Sequence, residues 1–355
     1  MTSMNLPRVT AIVDTCNHER FIERAITSVL EQDFPCQQME VIVVDDGSTD
    51  STPERIAAFG DRVRYLRKDN GGQGSAFNLA IPQAQGEILA FCDGDDWWTP
   101  NKLTEVMRAF ERHPGAGLVG HGYFGATSEQ PPFTTVVPDA EYTLEMRTPE
   151  GAARFAQLKC FLGATKVAIR RELFARILPI PEDLTVEADE YMFTVAAAQA
   201  PAVVLPQPLF YYRFHENNLF QIQQNDERRA RRKFAVLKSL AEKLPEAVRR
   251  AGAAEEPARI ALEPLLLEAE YCRLALDGGW PWEMFRAERA LARHGYRSST
   301  GGYSAFEAAK LALTLVLPPR TFYRLKQWYG RSRARELRAA LGEPVHAAPV
   351  VITRN

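Results

Sequence analysis

The chain has 355 residues, of which 46% are hydrophobic and 25% are charged, and its formal net charge is −2. These values are ordinary for a globular protein, and the near-neutral charge excludes a strongly basic nucleic-acid-binding protein. The five cysteines are scattered and include no C-x-x-C pair, which argues against a disulfide framework and against a zinc site. We expect a cytoplasmic protein, because the sequence has no signal peptide and no apolar run of the ~18–20 residues that cross a bilayer.

Short apolar runs alternate with helical patterns in the first part of the chain. The runs predict four buried strands, at residues 9–13, 39–44, 63–66 and 88–92. The intervening segments predict three helices: one after Asn17 as a candidate N-cap, one after Ser51 and Glu54 with capping-box spacing, and one at residues 76–84. This alternation predicts an α/β fold with right-handed crossovers and a mainly parallel sheet covered by helices on both faces.

The fourth predicted strand ends in an acidic cluster. Asp93, Asp95 and Asp96 follow the apolar run directly, and Thr99 and Pro100 then have the pattern of an N-cap and a first helical residue. Carboxylates held this close repel one another unless a cation neutralises them, and Mg²⁺ and Mn²⁺ prefer oxygen ligands. Open α/β sheets bind ligands at the carboxyl ends of their strands. The cluster therefore indicates a metal-dependent ligand site, and an acidic turn that caps the next helix is the simpler alternative.

The later elements are less regular. Beyond Pro100 the patterns predict, in order, a helix, a strand at 117–123, a loop region with one edge strand at 125–148, a strand at 164–169, a short helix at 171–177, a helix at 187–198, and strands at 202–205 and 209–214. From residue 226 onwards the pattern is helical, so we place a domain boundary between residues 1–225 and 226–355. The tail after Leu341 is predicted to be disordered.

Taken in this order, the motifs resemble those of the family 2 glycosyltransferases, which have the Rossmann-like GT-A fold. The resemblance covers about the first 220 residues and rests on Asn17, Val43-Val44-Asp45-Asp46-Gly47-Ser48-Thr49-Asp50, Asn70-Gly71-Gly72 with Ala76 and Asn78, Asp93-Gly94-Asp95-Asp96 with Pro100, Lys102 and Leu103, and Tyr212-Arg213-Phe214-His215. It implies inverting transfer of a sugar from a nucleotide diphosphate donor with Mn²⁺ or Mg²⁺. We expect a UDP-sugar donor and a glycan or lipid-linked acceptor in cell-envelope polysaccharide assembly.

The resemblance also implies a set of donor-binding residues. Asp46 would contact the nucleobase, Asp45 would support the turn, and Arg213 would contact the diphosphate. The whole predicted set is Asp14, Asp46, Asn70, Gly72, Asn78, Asp93 and Arg213. Three positions depart from the family pattern, because Asp14 stands where Pro or Thr is often found, Cys16 where an aromatic residue is common and Phe77 where Arg or Lys is usual. In the alternative interpretation these acidic and glycine residues only form turns and helix caps.

The metal and the general base are assigned in the same way. The resemblance implies that Asp95 binds the metal, with Asp93 and His215 as further candidate ligands. Inverting transfer needs a general base for the acceptor hydroxyl, and the candidate is Asp189, with Glu187 and Glu190 as rivals. The alternative for these three acidic residues is that they complement a helix N-terminus. Trp97 and Trp98 are predicted either to face a sugar or to pack.

The region from Tyr303 to Arg338 mixes apolar, aromatic and basic residues. The apolar run 311–317 is too short to span a bilayer, but this composition suits a membrane interface with anionic lipid. We therefore predict peripheral attachment to the inner face of the cell membrane, and packing of this helix on the catalytic domain is the alternative. Two other functions stay open for the chain, a nucleotidyltransferase and a non-catalytic protein that binds nucleotide sugars.

Overall fold

The computed structural model describes residues 8–127, 132, 134–215, 227–294, 305–326 and 350–352. Strands and helices alternate as predicted in the first part of the chain: β1 (Val9–Thr15), α1 (Ile22–Leu30), β2 (Met39–Asp46), α2 (Thr52–Ala57), β3 (Arg64–Lys68), α3 (Gln73–Ala80) and β4 (Ile88–Asp93). The strands run further than their apolar cores. Both β2 and β4 end on aspartates, so these carboxylates are held by strand backbone rather than by loops.

The second half of the domain is a mixture of short strands and helices. Its elements are β5 (Trp97–Trp98), α4 (Lys102–Arg112), β6 (Leu118–Ala126), β7 (Thr134–Pro138), β8 (Tyr142–Leu144), α5 (Pro149–Leu158), β9 (Val167–Arg170), α6 (Ala188–Gln199) and β10 (Ala202–Arg213). The region 125–148 thus holds two strands where one was expected. The predicted helix at 171–177 is a 3-10 helix, Arg171–Arg176.

The described residues between 227 and 326 are mainly helical, as the sequence predicted. It comprises α7 (Glu227–Arg250), α8 (Glu255–Asp277), α9 (Pro281–His294) and α10 (Ala305–Val316), and residues 319–326 are also helical. The predicted membrane segment is described only up to residue 326. The predicted disordered tail lies outside the described residues except for β11 (Val350–Ile352), which pairs in parallel with β7.

The sheet is mainly parallel, with the strand order β11-β7-β6-β9-β4-β1-β2-β3. Strands β3, β2, β1 and β4 are parallel, and β9 is antiparallel between β4 and β6. The long strand β10 runs parallel to β6 and antiparallel to β5 and β8. In the β1–β4 register Asp14 lies opposite Asp93, so two predicted site carboxylates meet at the edge of the sheet.

Helices cover both faces of the sheet, which confirms the predicted layer arrangement. On one face, apolar residues of α1, α2 and α4 form a buried cluster with the sheet. On the other face, residues of α3, α5 and α6 form a second cluster that continues into α7 and α8. The C-terminal helices therefore share a core with the sheet rather than standing apart from it. The helices α9 and α10 pack further out, around Tyr271, Met284 and Phe322.

Three predicted helix caps were wrong. Asn17 does not cap α1, because it adopts a left-handed φ of 58° and its Oδ1 accepts from the backbone N–H of Thr49 at 2.8 Å. Ser51 stands at the N-cap position of α2 but makes no side-chain cap bond there. Thr99 is not an N-cap, because Trp97–Trp98 pair with β10 and delay the start of α4 to Lys102.

The two strands predicted at 202–205 and 209–214 are one strand. The prolines at 206 and 208 cannot donate to a ladder, yet β10 continues past them with shifts in its register on β6. This continuity carries β10 from the core of the sheet to the acidic cluster, where its end contacts Asp95 and Asp96.

Candidate active site

The carboxyl ends of β1, β2 and β4 open onto a cavity of about 940 Å³. The beginning of α6, the end of β10 and one residue of α7 complete its walls. Nine predicted site residues line it: Asp14, Asp46, Asn70, Gly72, Asp93, Asp95, Glu187, Asp189 and His215. Residues that lie up to about 200 positions apart in the chain therefore converge on one site, at the sheet edge where open α/β folds bind ligands.

The three carboxylates of the acidic cluster lie close together in space. One oxygen from each of Asp93, Asp95 and Asp96 lies within 4.8 Å of the others. Burial raises the pKa of Asp93 to about 7, and the charges of Asp95 and Asp189 add to this. Asp14 is also raised well above its ordinary pKa by burial and by Asp93, and its Oδ1 is buried with no hydrogen-bond partner. Hard oxygen ligands that repel one another in this way fit a divalent cation.

Asp95 differs from its neighbours because His215 and His18 lie beside it. Its Oδ2 lies 3.0 Å from Nε2 of His215, whose ring packs on Phe21 at 4.9 Å. Burial would raise the pKa of Asp95, but the hydrogen bond with His215 and the field of His18 bring it below the ordinary value. Asp95 is thus the carboxylate of the cluster that is kept ionised. His215 contacts Asp95 and is not part of the three-carboxylate group.

Arg213 does not occupy the predicted donor-binding position. Its side chain is 2% exposed, and its guanidinium lies between the rings of Phe21 and Trp97, at 4.6 and 4.4 Å. Its side-chain Nε donates to the backbone carbonyl of Asp95 at 2.5 Å, and its backbone N–H donates to Asp96 Oδ1 at 2.9 Å. Arg213 therefore supports the acidic turn from beneath and does not line the cavity. Sequence reasoning identified the residue but not the direction of its side chain.

A buried lysine and a threonine behind the cluster were not assigned roles from the sequence. Thr165 donates its hydroxyl to Asp93 Oδ2 at 3.0 Å and accepts from the Asp93 N–H at 3.0 Å. Lys102 is fully buried, donates to the carbonyl of Thr165 at 2.6 Å and lies 4.1 Å from the ring of Trp98. Burial lowers the pKa of Lys102 to about 7. The chain Lys102–Thr165–Asp93 fixes the orientation of the Asp93 carboxylate.

Both tryptophans pack rather than face a sugar. Trp97 stacks on Tyr211 with ring centroids 4.9 Å apart, and Arg24 lies 3.8 Å above it. Trp98 is 2% exposed beneath Lys102. Neither ring lines the cavity, so the packing interpretation holds for both.

On the donor side, Asp46 holds the loop 70–72 in place. Its carboxylate accepts from the backbone N–H groups of Gly71 and Gly72, at 2.9 and 2.6 Å, and from Nζ of Lys68 at 2.9 Å. Gly72 has a φ of +84°, and a Cβ there would lie 2.4 Å from Cα of Thr185. This close approach requires glycine. The loop thus forms a rigid wall of the cavity next to Asp46.

Asn78 was predicted to bind the donor, but its side chain is bonded to the backbone of another segment. Its Nδ2 donates to the carbonyl of Ile180 and its Oδ1 accepts from the N–H of the same residue, both at 2.8 Å. The side chain therefore clamps α3 to the segment that precedes α6, and it does not line the cavity.

The three candidate bases are placed differently. Asp189 lines the cavity, and its Oδ2 accepts from the N–H of Ala164 at 2.8 Å. Glu187 also lines the cavity, in a left-handed conformation with φ 57°, and burial raises its pKa to about 8. Glu190 forms an ion pair with Lys159 and does not line the cavity. Asp189 and Glu187 are therefore the two candidate bases that line the cavity.

Metal binding is expected to depend on pH. Asp93 holds its proton more tightly in the folded protein (pKa about 7) than at its ordinary value of 3.8, so the metal-free fold loses stability as the pH rises between these values. A cation needs deprotonated ligands. Mn²⁺ should therefore raise the melting temperature more at pH 8 than at pH 6. Thermal unfolding with Mn²⁺ or a chelator at both pH values measures this, and equal shifts would contradict it.

The sheet, the cavity at the carboxyl ends of its strands and the Asp-x-Asp cluster define a protein of the GT-A class. Residues 10–178, slightly less than half of the chain, match the family model described as Glycosyl transferase family 2. The resemblance found in the motifs is thereby confirmed.

Similar proteins extend the comparison. An uncharacterized glycosyltransferase of Nostoc sp. is 28% identical over 226 residues, which span 59% of this chain and 66% of that protein. The chain thus spans slightly less than two thirds of that relative. Among solved structures, residues 1–349 of TarS from S. aureus superpose with a TM-score of 0.55 at 19% identity, over 92% of this chain and 91% of that one. The mannosyltransferase PcManGT from Pyrobaculum calidifontis gives a TM-score of 0.51 at 24% identity, over 94% and 87% of the two chains. These likenesses show the GT-A fold.

Proposed function

We propose that the protein is an inverting, metal-dependent glycosyltransferase that moves a sugar from a nucleotide diphosphate sugar to a glycan or lipid-linked acceptor in envelope polysaccharide assembly. One observation carries this proposal: the carboxylate cluster Asp93–Asp96 and the candidate base Asp189 line the same cavity. A single displacement needs these two parts and no covalent nucleophile.

The residues of the cavity fall into a donor side, a centre and an acceptor side. On the donor side, the loop 70–72 and Asp46 form a rigid surface for the nucleotide. In the centre, Asp95 and Asp93 are the residues that would hold the cation. A bound divalent cation would offset the charge that develops on the leaving nucleotide diphosphate. On the acceptor side, Asp189 accepts the proton of the acceptor hydroxyl as its oxygen attacks the anomeric carbon.

The donor class and the ion are supported by the solved relatives. TarS has been solved in complex with UDP-GlcNAc, and PcManGT with GDP-Man and Mn²⁺. We propose a UDP-sugar donor and Mn²⁺ or Mg²⁺ for this chain. Cys16 lines the cavity, and its Sγ lies 3.2 Å from Nδ2 of Asn70. The nucleobase of the donor would therefore lie against a small thiol rather than an aromatic ring.

A panel of UDP-, GDP- and dTDP-sugars with Mn²⁺ tests the proposed function. Release of a nucleoside diphosphate, together with an acceptor product of inverted anomeric configuration by NMR, is the expected result. A nucleotidyltransferase would instead release pyrophosphate from a nucleoside triphosphate and a sugar phosphate. A non-catalytic binding protein would bind a nucleotide sugar and release nothing, and either outcome would overturn the proposal.

We also propose that the C-terminal helices attach the enzyme to an anionic membrane surface. Within the described residues, no helix has the length and apolarity needed to cross a membrane. The outer face of α10 exposes Leu313, Leu315 and Val316, at 41%, 51% and 77%. Trp280 and Trp282 are also exposed near the start of α9. The helix α10 packs mainly on α9, which is compatible with an apolar face that stays exposed.

The membrane proposal predicts that a variant with Leu315→Gln and Val316→Gln binds anionic liposomes roughly tenfold or more weakly, because apolar side chains contribute by leaving water. Wild-type binding should also weaken as salt rises. Co-sedimentation over a salt series with anionic and neutral liposomes measures both effects. Leu266→Gln, at an exposed position on α8, is the matched control. Equal binding by all three proteins would contradict membrane attachment through α10.

A further inference from the structure

The helix α7 contributes one arginine to the active-site cavity. Arg232 lies in the cavity wall, although the family match ends at residue 178. Its two neighbours face α8 instead: Arg231 pairs with Asp277 at 3.6 Å, and Lys233 pairs with Glu268 at 2.6 Å. Of these three consecutive cationic residues, Arg232 is therefore the one that lines the cavity.

Arg232 enters the cavity on the side of the candidate base. Lys233, next in the chain, is the main opposite charge acting on Glu187, which stands in the cavity wall two residues before Asp189. A second cation, Lys166, lies near Asp189. A Cβ on Gly163 would lie 3.2 Å from both Lys166 Nζ and Asp189 Oδ2, so these two side chains approach each other across Gly163. Lys166 is held there by its bond to the Cys160 carbonyl at 2.7 Å.

The two cations have no evident use on the donor. Within the described part of the chain, Lys166 and Arg232 are the lysine and arginine that line the cavity. In the proposed function the donor diphosphate would lie near Asp93 and Asp95, the residues that would hold a divalent cation and so offset the phosphate charge. A neutral acceptor hydroxyl beside Asp189 needs no cation. A phosphate on the acceptor does, because it would otherwise meet the carboxylates that line the same wall.

We propose that Arg232, with Lys166, binds a phosphate group of the acceptor and so places the acceptor hydroxyl at Asp189. This inference rests on the proposed function. A guanidinium suits the task because its planar fork makes paired hydrogen bonds to phosphate oxygens. The substrate class is therefore a phosphate-bearing acceptor, either a sugar on a lipid-linked phosphate or a phosphate-containing polymer unit.

The test compares two neighbouring arginines. Wild type, Arg232→Gln, Arg232→Lys and the matched control Arg231→Gln are saturated with UDP or GDP and Mn²⁺, so that the donor site is filled. Calorimetry then measures binding of glucose 1-phosphate and of methyl glucoside. We expect wild type and Arg231→Gln to prefer the phosphate ester about tenfold, in line with charge-assisted hydrogen bonds. Arg232→Gln should lose this preference and Arg232→Lys should keep part of it, while melting temperatures stay similar.

Each other outcome overturns the inference. A preference that survives Arg232→Gln shows that Arg232 does not bind the phosphate. An equal loss in Arg231→Gln shows a general effect of surface charge. A fall in nucleotide affinity in Arg232→Gln, without a change in the preference, assigns Arg232 to the donor. Failure of the proposed function is detected separately, because wild type would then release no nucleoside diphosphate from any nucleotide sugar of the panel, whatever its preference for the phosphate ester.

Discussion

Replacing Asp95 by Asn is expected to weaken Mn²⁺ binding on the order of 10²-fold or more and to remove most of the transferase activity. Asp95 is the cluster carboxylate whose pKa lies below its ordinary value, since His215 and His18 outweigh its burial. It therefore offers a full negative charge to a cation at neutral pH. An amide keeps the size of the side chain but removes that charge and one acceptor oxygen. Changes one step further from a metal already cost about 10–100-fold in affinity.

Titration of Mn²⁺ in the presence of nucleoside diphosphate, followed by calorimetry, measures this effect without relying on turnover. His215→Gln should weaken Mn²⁺ by a smaller factor, because it removes only the group that orients Asp95 at 3.0 Å. Asp61→Asn, at an exposed position far from the cluster, is the matched control and should change nothing. Unchanged Mn²⁺ affinity in Asp95→Asn would remove Asp95 from the metal role.

The sequence predicted the fold well where a local pattern decides the structure. The strands β1 to β4 are runs of buried apolar residues. Short runs of this kind that alternate with helical patterns are typical of buried strands. Their ends were underestimated because Asp45, Asp46 and Asp93 are polar, yet the ladder with neighbouring strands continues through them. The caps failed for the same kind of reason. Asn17 bonds to Thr49, 32 positions along the chain, and no local pattern reports such a partner.

The candidate site was predicted less completely, because a motif gives a position in the chain and not the direction of a side chain. Asn78 and Arg213 are in the expected motifs, but each turns away from the cavity towards backbone groups. Thr165, Lys166 and Arg232 gave no signal, since they lie in stretches without a motif. Thr165 and Lys166 reach the site through the turn 164–166, which packs on β4, and Arg232 through the packing of α7. The spacing of Asp93 and Asp95, by contrast, fixes two ligands on one turn.

Replacing Asp189 by Asn is expected to lower kcat by about 10²–10⁴-fold, the usual contribution of a general base, with little change in donor binding. The asparagine can still accept the N–H of Ala164, which Asp189 Oδ2 now accepts at 2.8 Å, so the wall of the cavity should stay in place. What is lost is the basic oxygen that takes the proton. Initial rates at saturating donor and acceptor give kcat, and titration with nucleoside diphosphate and Mn²⁺ gives the donor-side affinity.

The neighbouring acids make this a controlled comparison. Glu187 has a pKa raised to about 8 by burial, so at pH 7 it is mostly protonated and is a poor base; Glu187→Gln should therefore have a much smaller effect. Glu190 pairs with Lys159 outside the cavity, so Glu190→Gln should leave kcat near wild type. If Glu187→Gln instead lowers kcat by the larger factor while Asp189→Asn stays active, the base is Glu187, and the activity of wild type should then rise with pH through about 8, as Glu187 ionises.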